Sequence, residues 1–75
     1  MRRDGREDDG VPFEDVSALR GTERALLCRL TTDAGERRDV WIPRSQITDD
    51  SEVFEVGDTG ELVVTSWFAD REGLK

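Results

Sequence analysis

The chain has 75 residues, with 18 acidic against 11 basic side chains, a net charge of −7, one cysteine and no histidine. That length allows one domain with a small core. The composition excludes an internal disulfide and a structural zinc site of four Cys or His ligands. It also argues against a free-standing duplex binder, which normally carries a basic face.

With disulfide and zinc ruled out, a scaffold this small draws extra stability from good packing, self-association or a partner. The basic residues are ten arginines and one lysine, Lys75. Net charge of this size is first of all a solubility device. No stretch approaches the ~20 apolar residues of a membrane helix. Met1, Arg2, Arg3, Asp4 and Gly5 are not followed by the apolar region of an export signal. The expected location is the cytoplasm, with Cys28 a reduced thiol.

Residues 1–10 are charged or glycine apart from Met1. Such a segment buries too little surface to offset its ordering entropy, so it reads as a disordered tail. A single small β domain is expected over residues 11–75. Order is expected from Val11, Pro12 and Phe13. Val16 and Ala18 point to a first short strand ending at Arg20, Gly21 and Thr22.

Residues 23–30 contain helix formers, but the run is short, bracketed by turn signals and next to a hairpin, which favours a strand. The hairpin turn is Thr32–Glu36, with Asp33 to start it and Gly35 for positive φ. The return strand covers residues 37–42 and stops at Pro43, which has no N–H to give a ladder. Residues 43–46 read as one 3₁₀ turn, with Ile47 tucked into the core. A polar loop over 48–52 follows, then Val53–Val56 as a short strand or apolar anchor, a glycine turn at 57–60, and a strand over 61–65. Ser66 is placed to cap a two-turn C-terminal helix, with Gly73 as its C′ residue and Leu74 folding back.

Strand alternation places Leu26, Cys28, Leu30, Val40, Ile42, Leu62 and Val64 in the core. Ala25, Leu27, Trp41 and Val63 fall on the opposite faces, which therefore need a cover. The C-terminal helix, bringing Trp67 or Phe68, is the expected cover.

Catalytic chemistry finds little purchase. Cys28 lies inside a predicted strand and has no histidine to activate it. The carboxylates Asp49, Asp50, Glu52, Glu55 and Asp58 sit in predicted loops. Asp49–Glu52 lacks the alternation and central glycine of a calcium loop, and Gly57–Gly60 is followed by a strand, unlike a phosphate loop. No catalytic residue, metal site or cofactor is expected. Trp41, Phe54, Trp67 and Phe68 remain, with Arg37, Arg38 and Arg44 near Trp41. They serve as core and helix clamp, as protein anchors, or as stacking platforms for single-stranded nucleic acid.

Five segments carry a resemblance: Thr22–Leu27, the run Trp41-Ile42-Pro43-Arg44-Ser45-Gln46-Ile47, Asp50–Val53, Gly57–Val64 and Trp67–Leu74. From Thr22 to Leu74 the chain resembles a family of small proteins encoded by phages, prophages and similar mobile elements. The resemblance implies an accessory protein of a mobile element and supplies no activity. The charged N-terminal tail lies outside it.

The expected fold is mainly β: a small antiparallel SH3-like barrel or half-barrel with a short C-terminal helix. The expected function is a non-enzymatic acidic module docking on a protein partner, one with a basic face being favoured by charge. An anti-defence or regulatory accessory role would fit. The expected partner-binding residues are Trp41, Arg44, Ser45 and Gln46, with Trp67 in support. The rival reading is an accessory single-stranded nucleic-acid binder of a phage replication or recombination module, which the net charge disfavours. Homo-oligomerisation is compatible with either.

Overall fold

The computed structural model describes residues 10–74. Four antiparallel strands and one helix follow in the order β1 (Gly10–Gly21), β2 (Ala25–Thr31), β3 (Arg37–Pro43), a 3₁₀ turn (Arg44–Gln46), β4 (Thr59–Thr65) and α1 (Ser66–Arg71). They form one sheet in the order β3-β2-β1-β4. Residues 23–30 thus contribute to a strand and not a helix. The expected tail lies outside the described residues except for Gly10, which belongs to β1 and pairs with Thr65.

β1 corrects the expectation of a short strand. It runs for 12 residues because two irregularities keep it in step with both neighbours. Phe13 pairs with Leu62 and Val16 with Gly60, so three steps on β1 match two on β4. Asp15, at φ 58, takes up the extra residue; aspartate tolerates this left-handed conformation better than most side chains. A second shift between Ala18 and Arg20 does the same against β2. The first shift turns Phe13 to the same face as Val16 and Ala18, which strict alternation would not.

The seven residues assigned to the core by alternation are all buried. Phe13, Val16, Ala18, Val53, Phe68, Ala69 and Leu74 join them. Val53 is an anchor within an irregular segment and not part of a strand. The hairpin turn closes as expected: the Thr32 amide donates to the Glu36 carbonyl at 2.9 Å, and Gly35 has φ 86.

Two further expectations are corrected. Ser66 does not cap α1; Thr65 does, accepting from the Phe68 amide at 3.2 Å while Ser66 is the first helical residue. And α1 covers the core face, not the opposite one. Its buried residues Phe68 and Ala69, with Leu74 behind them, enter the same cluster as Val40 and Ile42. The chain end is tied there by the Asp33 amide donating to the Leu74 carbonyl (3.1 Å) and Arg38 donating to the Glu72 carbonyl (3.3 Å).

The sheet is open and not closed as a barrel. β3 and β4 are its two edges, and they do not pair. Residues 47–52 run along the outer edge of β4 instead. They make one bridge, Ile47 to Val64, and hydrogen bonds from the Thr48 amide to Val63 and from the Glu52 amide to Glu61. The Glu52 carboxylate accepts from the Glu61 amide at 2.9 Å. It lies 2.6 Å from where a Cβ on Gly60 would sit, and Gly60 has φ 132, so only glycine fits there. This segment shields the edge with too few ladder bonds to count as a fifth strand.

Candidate functional site

Alternation along β3 sends Val40 and Ile42 into the core and Trp41 to the outer face. Trp41 is 48% exposed and stands directly opposite Leu27, which is half-buried. The bulge on β1 brings Leu19 and Arg20 opposite the same Leu27. The outer face therefore carries an apolar row, Trp41–Leu27–Leu19, that no described element covers. Val63, which also alternates outward, is buried beside Gly10.

Next to this row Arg29 and Asp39, a facing pair on β2 and β3, form a two-pronged ion pair with contacts of 2.9 and 3.3 Å. The hydrogen bond from Arg29 holds the Asp39 carboxyl below its ordinary range. Beyond it a shallow cleft of about 590 Å³ opens, lined by Glu14, Asp15, Ser17, Arg29, Thr31 and Arg37. Two acidic and two basic side chains are among its lining. Among the described residues no group of three or more His, Cys, Asp or Glu side chains is placed to hold a metal ion. The Cys28 thiol is enclosed in the core, and burial pushes its pKa up to about 11 despite the opposing influence of the Arg44 guanidinium. At neutral pH it is neither ionised nor reachable, so it supplies no nucleophile.

The other expected site residues are placed as follows. Arg44 leaves the 3₁₀ turn and is used inside the molecule. Its Nε donates to the Thr22 carbonyl at 3.0 Å and its Nη1 to the Phe54 carbonyl at 2.7 Å, with the Glu55 carboxylate 3.9 Å away. It clamps the β1–β2 turn to the segment before the glycine turn. Ser45 is exposed beside it. Gln46 is half-buried and its Oε1 accepts from the Thr65 hydroxyl, the group that caps α1. Trp67 is 58% exposed on α1, with the Arg71 guanidinium 5.2 Å from its ring centroid.

The structure thus joins Arg44 and Gln46 to the frame and leaves Trp41, Ser45 and Trp67 outside. Trp41 leaves the sheet on the face that α1 does not cover, so the two indoles do not share one sheet face. Sequence reasoning set Leu27 on the non-core face with Trp41 without pairing the two, and it missed Leu19 as a neighbour. Leu27 was within reach, since the hairpin register sets it opposite Trp41. Leu19 was not, because its place depends on the bulge.

Asp58 is a second internal device. Its carboxylate accepts from the amides of Phe54 and Glu55, both at 3.0 Å, and these bonds hold its pKa below the ordinary range. They shape the segment that leaves Phe54 and Val56 exposed.

The fold and face define a mainly β protein: an open four-stranded antiparallel sheet with a short C-terminal helix on one side and an uncovered apolar row on the other. Compared with protein-family models, curated proteins and solved structures, the chain matches none.

Proposed function

We propose that this protein is a non-enzymatic binding module that docks on a protein partner through the outer face of its sheet, with Trp41 as the anchor. The observation that carries this reading is the half-exposed indole of Trp41 standing against Leu27 in an uncovered row. Tryptophan is the residue type most enriched at binding hot spots. A contiguous exposed apolar row rimmed by charge is the usual mark of an interaction face. Arg44 and Gln46 act in this reading by holding the 3₁₀ turn and the helix start in place. Ser45 is exposed on the 3₁₀ turn, and Trp67, on the helix side of the sheet, stands apart from this face.

We read the curled open sheet as an SH3-like half-barrel, the support being the single bridge with which residues 47–52 follow β4. The motif resemblance supplies a setting, an accessory protein of a mobile element acting in the host cytoplasm, with anti-defence or regulation as its purpose. The net charge of −7 favours a partner with a basic face, reached faster at low salt.

The test is a binding series with host proteins captured on the wild type. Trp41→Ala should abolish capture with the circular-dichroism spectrum unchanged, whereas Trp67→Ala should weaken it severalfold at most. Equal capture by wild type and Trp41→Ala would sink the reading. Tryptophan quenching by single-stranded oligonucleotides at low salt, absent from Trp41→Ala, would replace it with nucleic-acid stacking.

A further inference from the structure

The two edges of the sheet are treated differently. The outer edge of β4 is followed by residues 47–52. The outer edge of β3 has no backbone partner among the described residues. An uncovered edge is a template for another strand.

The phase of the β2–β3 ladder says which groups that edge offers. Thr32 donates to Glu36 at one end of the hairpin, and Arg44 donates to Arg24 at the other. Both pairs lie on the register that sets Leu30 opposite Arg38, Cys28 opposite Val40 and Leu26 opposite Ile42. Hydrogen-bonded pairs recur at every second residue of an antiparallel ladder. Arg38, Val40 and Ile42 therefore bond to β2, and the N–H and C=O groups of Arg37, Asp39 and Trp41 turn outward. Pro43, the next outward position, has no N–H to leave unpaired.

These three residues are complementary to themselves. A two-fold pairing must be antiparallel and use the same residues on both sides. In the register centred on Asp39, each Arg37 guanidinium meets the Trp41 indole of the second copy, a favourable cation–π pair. The two central carboxylates stand side by side, but each is already neutralised by its own Arg29 at 2.9 Å. No ion pair engages Arg37 among the described residues, so it is free to make the contact. Because the β4 edge is covered, the pairing closes as a dimer and does not propagate.

We propose that two copies of this chain pair antiparallel along β3, Asp39 opposite Asp39 and Arg37 opposite Trp41, joining two open sheets into one. The proposal does not rest on the partner reading above, and it predicts the opposite salt response. Two chains of charge −7 repel each other, so salt strengthens the dimer, whereas salt weakens docking on a basic partner.

The test combines sedimentation velocity with residue-resolved amide exchange on the full chain. The expected result is a concentration-dependent doubling of mass that rises with sodium chloride. The amides of Asp39 and Trp41 should slow by roughly tenfold or more as the dimer forms. The amides of Val40 and Ile42, bonded to β2 in either state, are the internal control. Asp39→Pro removes an outward N–H without touching the β2 ladder and should give a monomer; Asp39→Asn keeps the amide and should remain dimeric. A monomer at all concentrations with fast exchange at Asp39 and Trp41 overturns the proposal, and so does slow exchange without doubling of mass. A wild-type dimer with fast exchange at both amides places the contact elsewhere and overturns it too. The exchange data decide the matter even if Asp39→Pro fails to fold.

Discussion

Arg44 shows how a surface arginine beside an exposed tryptophan can be committed to the frame. Its two hydrogen bonds end on backbone carbonyls of Thr22 and Phe54, groups that β-ladders leave over at turns. A fixed fork of donors suits that task better than an ammonium does. Arg44→Met should therefore lower stability by roughly 1–2 kcal/mol, the scale of losing hydrogen bonds from a charged donor at a partly exposed site. Ser45→Ala, one residue on and exposed, should change it by about 0.5 kcal/mol or less. Urea midpoints of the two variants check this. Equal effects would mean that Arg44 clamps nothing. Nothing local in the sequence separates these roles, because both residues sit in the same polar turn and the carbonyls that Arg44 meets are 22 and 10 positions away.

At the scale of elements, the helix start shows a legible feature placed one residue off. Threonine and serine both cap helices, and the sequence offers them in succession at Thr65 and Ser66. The choice falls on Thr65 because it is the last residue of β4, already extended at φ −65 and ψ 150. Its hydroxyl can then accept from the Phe68 amide and donate to Gln46 at once. Thr65→Ala should cost about 1 kcal/mol of stability and Ser66→Ala a few tenths, read from thermal unfolding. The reverse order would return the cap to Ser66. The strands were more legible than the helix. β2 and β3 follow alternation, β4 buries Leu62, Val63 and Val64 in succession, and all three lie within a few residues of their expected bounds, since period-two patterning and turn residues are local signals. β1 was not legible at full length, because its two bulges break the period that reveals a strand.

For the whole molecule, electrostatics sets a pH limit. The Asp39 carboxyl is lowered by the hydrogen bond from Arg29, and Asp58 by the Phe54 amide and then that of Glu55. A carboxyl whose folded pKa is depressed contributes stability that is complete above its unfolded value, about 4. That contribution is lost as pH falls through the folded value. Urea midpoints should thus decline below about pH 4, and the decline should be shallower in Asp58→Ala than in the wild type. An identical acid limb in both would remove Asp58 from the account. The alternation of β2 and β3, the hairpin, the terminating proline and seven core side chains were determined by the sequence itself. Each depends on neighbours a few positions apart and on the two-residue period of a pleated strand. Which face α1 covers, that the sheet stays open, and the place of Leu19 in the row beside Trp41 were decided only by the tertiary structure. They depend on bulge shifts in β1, on hydrogen bonds that Arg38 and Arg44 donate to distant carbonyls and on the one that Gln46 accepts from Thr65, and no local pattern encodes where such partners meet.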